Sequence, residues 1–548
     1  MYGTVSLTLE LDSRIRRHMR YGFVIDQRKC IGCHACTVAC KSENEVPLGV
    51  FRTWVKYVES GEFPNARRHF NVLRCNHCED APCVEICPTG ALFKRPDGIV
   101  DFDNRKCIGC KACMQACPYD ALYIDPDNNT AAKCNYCVHR VEQELLPACV
   151  VVCPVKAIIA GDIDDPTSEI TRTIGSQPVT VRKPEQGTKP KVFYVGAEDA
   201  SLTPEALALG QSYMWAELRG EGYLNGIDNH TLSGQPYQPA PELTPEAWES
   251  DPALAKPGSP RVAYDVHHPR PWGWKVSSYL WTKSIAAGSL GLAAVLLLAG
   301  WSSDRDLLEI VAPLLAVLFI LITSVLLVVD LKRPERFWML MVKPNRTSWL
   351  ALGGYILAGF GALAGLWVLA GLAGLDSGWR ALAVIGLPLA AAAAGYTAFL
   401  FGQAEGRDFW QSPLLLPHLL VQATVAGAGI LALTAMPVGI SADLPDVLGW
   451  VLLGGLVANL VVMFAELFSH HPTTHIARAA SVMTVGRYSR LFWVGAVVVG
   501  VVIPLLLLII FLAGGPVSAL AVAAGLALVG LLAYEHAWVQ SGQMVPLS

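Results

Sequence analysis

The sequence predicts a two-part chain, a small cysteine-rich α+β domain followed by an all-α bundle of eight transmembrane helices, and three observations predict it. All 16 Cys lie between Cys30 and Cys153. Nearly all the long apolar runs lie after Val276. Over 548 residues the mean hydropathy is +0.39, with 53% hydrophobic and 16% charged positions, which excludes a disordered chain, a collagen-like one and an ordinary string of soluble domains. Four segments follow: an N-terminal extension 1–20, the cysteine-rich domain 21–200, a Pro-rich linker 201–275 and a membrane domain 276–548.

The cysteine-rich domain comes first. Its Cys form four groups of four at short spacings, a regularity that disulfide geometry does not require. Cys30, Cys33, Cys36 and Cys40 share the spacing C-x2-C-x2-C-x3-C with Cys107, Cys110, Cys113 and Cys117. That run is the bacterial ferredoxin pattern, in which three thiolates hold one [4Fe-4S] cluster and the fourth reaches to another. Cys75, Cys78, Cys83 and Cys87 open the middle gap to four residues, and Cys134, Cys137, Cys149 and Cys153 open it to eleven. Zinc is disfavoured, because its ligands come as two separated C-x2-C knuckles and a third nearby Cys crowds a tetrahedral site. Sixteen thiolates at four per cluster account for four [4Fe-4S] clusters with none left over. An internal repeat supports this, R-K-C-I-G-C-H-A-C at Arg28 returning as R-K-C-I-G-C-K-A-C at Arg105, and R-C-N-H-C at Arg74 as K-C-N-Y-C at Lys133. The domain therefore reads as a duplicated bacterial-ferredoxin-like fold.

Such a domain is expected to relay electrons singly and to need its clusters in order to fold. It shows no G-x-G-x-x-G fingerprint, no Ser/His/Asp set and no flavin-type motif. The 42 Lys and Arg nearly balance 46 Asp and Glu, and no basic run or basic aromatic stripe marks the domain, so nucleic acid is not expected as a partner. Arg16 and Arg17 are adjacent, but no apolar stretch of signal-peptide length follows them, so no export address is expected.

From Asp162 to Trp274 the chain is polar and rich in Pro, with P-A-P-E-L-T-P-E near Pro239. This stretch is expected to wrap over the head or a partner. Trp272 and Trp274, at its end, stand either as an interfacial anchor or as packing against the head.

Eight apolar runs follow that are long enough to cross ~30 Å of hydrocarbon, at 276–299, 308–329, 349–372, 381–402, 414–436, 447–468, 491–512 and 517–534. Nine Lys and Arg occupy the loops on the head's side, from Lys332 to Arg490, against only Arg305 and Arg380 opposite. The positive-inside rule therefore puts the head in the cytoplasm of a multi-pass inner-membrane protein, the alternative being a head exported by a signal-bearing partner. Ionisable groups gather toward the head's side of the spans. Such groups are costly at membrane depth and mark functional sites. Asp330, His418 and Glu466 are the leading candidates for handling protons at a quinone site, with Lys283, Arg333 and His470 behind them. The far half holds few such groups, which argues against the alternative of an ion-translocating module.

Residues 21 to about 200 resemble the four-cluster iron-sulfur subunits of molybdopterin oxidoreductases of the dimethyl sulfoxide, polysulfide and tetrathionate reductase type. The carriers are Y-G-F-V-I-D-Q-R-K-C-I-G-C-H-A-C from Tyr21, R-C-N-H-C-E-D-A-P-C from Arg74 and C-P-T-G-A-L from Cys87. Residues 276–548 resemble the NrfD-type membrane subunit of polysulfide reductase through D-L-K-R-P-E-R-F from Asp330, P-N-R-T-S-W from Pro344, Y-T-A-F-L from Tyr396 and the G-Q at Gly542. The resemblance implies a nested ligand assignment, with Cys30, Cys33, Cys36 and Cys153 on one cluster and Cys40, Cys134, Cys137 and Cys149 on the second. Cys75, Cys78, Cys83 and Cys117 would hold the third, and Cys87, Cys107, Cys110 and Cys113 the fourth. It also implies a menaquinone or ubiquinone site and a separate catalytic subunit carrying a molybdenum or tungsten pterin. That subunit would act on formate or a sulfur compound. Two departures stand out: such modules are commonly separate chains, and A-Y-E-H-A-W near Glu535 and His536 lies where the family often has an Arg.

Overall fold

The computed structural model describes residues 19–203, 207–208, 258–301, 303–374, 379–438, 441 and 443–548. Most of the N-terminal extension and of the Pro-rich linker lies outside the described residues. The chain divides into two compact units, one of residues 1–271 with 404–406 and 546–548, the other of 272–403 and 407–545.

The first unit is built around β1 (Tyr21–Asp26), whose run Phe23-Val24-Ile25 is fully buried. A strand points successive side chains to opposite faces. Phe23 and Ile25 accordingly join one apolar cluster with Val192 and Tyr194, while Val24 joins another with Ile159, Ile170 and Val195. A hairpin, β2 (Thr53–Ser60) with β3 (Arg67–Arg74), pairs antiparallel from Thr53↔Arg74 to Ser60↔Arg67. Two short hairpins follow the middle cysteines, β4 (Leu92–Lys94) with β5 (Val100–Phe102) and β6 (Leu122–Ile124) with β7 (Ala131–Lys133). The flanks of β1 are β8 (Ile158–Asp162), antiparallel, and β10 (Val192–Val195), parallel, with β9 (Val179–Thr180) beyond β10. On the β2 edge lie β12 (Arg261–Tyr264) and then β11 (Leu207–Ala208).

The internal repeat is visible in backbone conformation. Gly32 and Gly109 both take positive φ, 68° and 69°, and so do the residues after the next Cys, His34 at 59° and Lys111 at 64°. Helices then start at Ala35 and Ala112. These left-handed turns curl the backbone between closely spaced Cys. Only Gly adopts such φ without cost, which explains the Gly of C-I-G-C. In the second half-repeat His77 and Tyr136 match again, at 45° and 64°.

The second unit contains eight helices long and apolar enough to cross a membrane: α1 (Trp274–Leu298), α2 (Asp306–Asp330), α3 (Trp349–Leu372), α4 (Trp379–Gly402), α5 (Leu415–Val438), α6 (Leu444–Phe468), α7 (Leu491–Leu512) and α8 (Val517–Met544). α1 is the most buried and packs on α2, α4, α5 and α8, while α2 and α3 expose long apolar faces, as lipid contact requires. α2 and α7 begin with wide π-helical turns, each ending just before Pro313 and Pro504. Proline lacks the N–H that would continue a regular ladder, and the wider winding adapts the backbone to its ring. Trp272 is buried, stacked on Trp410 at 5.4 Å, whereas Trp274 is largely exposed.

Candidate functional site

The first unit places its cysteines around voids. Cys40, Cys134, Cys137 and Cys149 line one together with Arg74, Asn44 and Arg52. Cys87, Cys107, Cys110 and Cys113 line another. Cys30 is an electrostatic neighbour of Cys33 and Cys153, and Cys36 of Cys30 and Cys149. Cys75, Cys78, Cys83 and Cys117 are likewise mutual neighbours. Among the described residues no three His, Cys, Asp or Glu side chains converge as they would on a single metal ion.

Backbone amides point at several of the sulfurs, Ala157 N to Cys153 Sγ at 3.2 Å, Ala131 N to Cys107 Sγ at 3.3 Å and His77 N to Cys75 Sγ at 3.4 Å. Burial pushes the Cys36 thiol up to about 11 and the Cys134 thiol up to about 12. Left to themselves these groups stay protonated at neutral pH, and a cationic iron core is what would hold them as thiolates.

Two buried cations test the fit from the other side. Arg74 and Lys133 are 1% and 0% exposed, and among the described residues no carboxylate pairs with either. Burial alone would lower the pKa of Arg74, but Cys149, Cys134 and Cys36, once held as thiolates, more than offset it and would keep the guanidinium charged. A buried, unpaired cation is strongly destabilising unless an anion accompanies it. An iron-sulfur core with its four thiolates is such an anion, so the donor set and its charge fit the cluster that the spacing implies.

The second unit gathers a buried polar cluster from three helices. His418 on α5 sets Nδ1 2.9 Å from Oε2 of Glu466 on α6, and both side chains are almost fully buried. Ser412 Oγ donates to Glu466 Oε1 at 3.0 Å, and the hydroxyl of Tyr534 on α8 donates to Oε2 at 3.2 Å. On the other side of the ring, Nε2 lies 3.1 Å from Oδ1 of Asn459. A His–carboxylate pair with a phenol and a hydroxyl in contact can accept, hold and return a proton without solvent.

The remaining membrane candidates have other surroundings. Lys283, fully buried, donates to Ala394 O at 2.6 Å and to Thr397 Oγ1, with its ammonium 5.2 Å from the Tyr396 ring centre. Asp330 ends α2, half-buried, in electrostatic range of Tyr279. Arg333 lies 3.4 Å from Glu335, and His470 is exposed. Sequence reasoning missed Tyr534 and Asn459. Their signals were faint, a lone Asn in an apolar run and a Tyr beside the more conspicuous Glu535.

Comparison with known proteins agrees with this division. The family model described as polysulphide reductase, NrfD matches residues 265–546. Two models of the 4Fe-4S dicluster domain match residues 29–92 and 67–163. The B subunit of tetrathionate reductase from Salmonella typhimurium is 48% identical over 207 residues, 37% of this chain and 82% of that protein. The B component of polysulfide reductase from Wolinella succinogenes is 43% identical over 179 residues, 32% of this chain and 94% of its own length. Protein NrfC of Escherichia coli is 45% identical over 180 residues, 32% of this chain and 81% of its own length. With more than half of its length matched by the membrane family and its cysteine-rich part by the dicluster domains, the chain belongs to the polysulphide reductase NrfD family and joins to that membrane module an iron-sulfur electron-transfer module.

Proposed function

We propose that this chain is the electron-transfer and quinone-reactive subunit of a respiratory reductase complex, passing electrons between membrane quinone and a catalytic partner that carries a molybdenum or tungsten pterin. The observation that carries the proposal is the union, in one chain, of sixteen closely spaced thiols, with Arg74 and Lys133 buried among them, and a buried His–Glu–Tyr cluster among membrane helices. The ligand sets are the nested ones, Cys30/Cys33/Cys36/Cys153, Cys40/Cys134/Cys137/Cys149, Cys75/Cys78/Cys83/Cys117 and Cys87/Cys107/Cys110/Cys113. The two thiol-lined voids and the neighbour relations of the other eight sulfurs support them. Bound clusters supply one-electron steps, and a quinone joins two electrons to two protons.

The His418 cluster would line the quinone site and supply the protons that quinone chemistry needs. Glu466 orients His418 through Nδ1, so that the imidazole presents its other nitrogen beside Asn459, while Tyr534 and Ser412 hold the carboxylate from two sides. A proton reaching His418 can pass to Glu466 across 2.9 Å. Cys33 is the exposed cysteine, so its set is the one open to electron exchange with a partner. The head is assigned to the cytoplasm by the Lys and Arg bias of the loops.

The decisive experiment is anaerobic purification of the native complex with analysis of iron, molybdenum, tungsten and subunits. About sixteen irons per chain and a pterin metal on a co-purifying subunit are expected; irons without a pterin metal would remove the catalytic partner. Replacing Glu466→Gln should lower quinol oxidation by about 10²-fold, the usual scale of a lost proton-transfer group, and leave dye-driven reduction of the clusters unchanged.

A second reading, an ion-translocating module, is favoured by one observation. Glu535 is buried with both carboxylate oxygens lacking hydrogen-bond partners, in electrostatic range of Lys283. Proton uptake by proteoliposomes separates the readings: a Glu535→Gln chain that keeps quinol oxidation but loses proton transfer would establish the second.

A further inference from the structure

The two halves of the duplicated head diverge at one buried cation. Arg74 precedes Cys75 in R-C-N-H-C, and Lys133 precedes Cys134 in K-C-N-Y-C. Lys133 directs its ammonium to the backbone carbonyls of Val100 and Cys134. Arg74 reaches a sulfur instead, Nη1 donating to Cys149 Sγ at 3.1 Å. Its guanidinium lies 4.4 Å from the centre of the Phe23 ring, which shields it from water.

The rest of the guanidinium is unaccounted for by protein. Nε and Nη2 are buried and have no hydrogen-bond partner, and Arg74 lines the void framed by Cys40, Cys134, Cys137 and Cys149. Open donors of a buried cation beside a thiol-lined void point to acceptors within it. Asn44 adds neutral donors to the same place, with Nδ2 3.7 Å from the sulfurs of both Cys40 and Cys137. Its Oδ1 is held by Arg52 Nη1 at 3.0 Å, which fixes the amide with its N–H groups toward the sulfurs.

We infer that Arg74 is a positioning and tuning residue that raises the reduction potential of the cluster held by Cys40, Cys134, Cys137 and Cys149. The inference rests on the ligand set proposed above. Gaining one electron makes the core and its thiolates more negative by one charge, and a cation in hydrogen-bond contact stabilises that state more than the oxidised one. The effect is large where water is excluded, and charge and hydrogen bonds at sulfur are established levers on cluster potential. An electron at this cluster is therefore held more firmly than it would be without Arg74. The matching lysine, committed to carbonyls, gives no hydrogen bond of this kind.

The test is an anaerobic redox titration of the intact chain in its native complex, followed by electron paramagnetic resonance. Cys137→Ser identifies the signal of this set by altering it; if all four signals and the iron content survive unchanged, the ligand set itself is wrong and the inference goes with it. With the signal identified, Arg74→Met should lower its reduced-to-oxidised ratio at least tenfold at a fixed potential, about 59 mV for a one-electron couple. The other signals should change less, and Arg74→Lys should restore part of the loss. An Arg74→Met chain with full iron and an unmoved midpoint overturns the inference. Should that variant lose iron, the native chain labelled with ¹⁵N-arginine decides: a hyperfine coupling from guanidinium nitrogen in this signal supports the role, and its absence overturns it.

Discussion

His268 shows how far a single residue can depart from its sequence context. Its Nδ1 lies 2.7 Å from Asp120 Oδ2, its Nε2 3.6 Å from Asp265 Oδ1 and 3.1 Å from Ser548 Oγ. Burial alone would lower its pKa, yet Asp120 and Asp265 outweigh burial and raise it to about 10, while burial and the charge on His268 lower the neighbouring His267 to about 4. Because the folded value lies above the unfolded one, the stabilisation is complete below about pH 6.5 and is lost as pH rises toward 10. Replacing His268→Asn should therefore cost about 3 kcal/mol near pH 6, the scale of a broken buried pair, and progressively less in alkali. Melting of the first unit, followed by cluster absorbance across pH, checks this; a cost that stays constant from pH 6 to 10 would mean that His268 is not the charged partner. Lys56 acts in the opposite sense. Burial lowers it to about 8 despite Asp265 at 4.0 Å, so its penalty is present at low pH and disappears between about 8 and its ordinary value. None of this was legible in H-H-P-R-P-W-G-W-K, because the carboxylate that fixes His268 comes from the distant turn after Cys117.

At the scale of elements, the sequence was most informative where spacing alone dictates geometry. The repeated C-x2-C spacing is matched by a repeated turn, taken by Gly32 and Gly109 at the least conformational cost and by His77 and Tyr136 at the equivalent positions. The eight spans followed from length and apolarity, and their ends shifted by at most three residues except at the last, which runs on to Met544 rather than stopping at 534. The wide turns opening α2 and α7 were not visible, since a following Pro more often signals a kink or a helix start. Helix contacts were equally hidden, because small residues occur throughout these spans. Gly288 on α1 meets Gly427 on α5 so closely that a Cβ at 288 would lie 1.9 Å from Ala423 O. Backbone cannot yield as a side chain can, so Gly288→Ala should destabilise the bundle by about 3 kcal/mol, the upper end for overpacking. Gly359 on α3 has nothing within 4 Å of a built Cβ, and Gly359→Ala should be neutral or stabilising by about 0.5–1 kcal/mol. Thermal unfolding in one detergent compares the two; equal losses would remove the close contact of α1 and α5 as the cause.

For the whole molecule, the sequence separated a cluster-bearing unit from a membrane unit because all cysteines precede Cys153 and nearly all long apolar runs follow Val276. Thiol spacing of the kind a rigid inorganic core imposes is legible in sequence, whereas Tyr534 and Asn459 join His418 and Glu466 only through helix packing. This contrast carries a prediction about stability. In the proposed sets the first Cys and the last, Cys30 and Cys153, share a cluster, so that single centre closes the whole cysteine-bearing segment, and loop closure of that length is costly without it. The second unit contains no Cys, and each of its helices satisfies its own backbone. Removing iron anaerobically from the full chain in detergent should therefore abolish protease resistance in residues 19–203 while the helical circular dichroism of the eight spans persists. Loss of both together would show that the membrane unit depends on the clusters. Retention of both would show that the strands around β1, with their buried Phe23, Val24 and Ile25, fold without iron, and the clusters would then be passengers rather than the keystone of the unit.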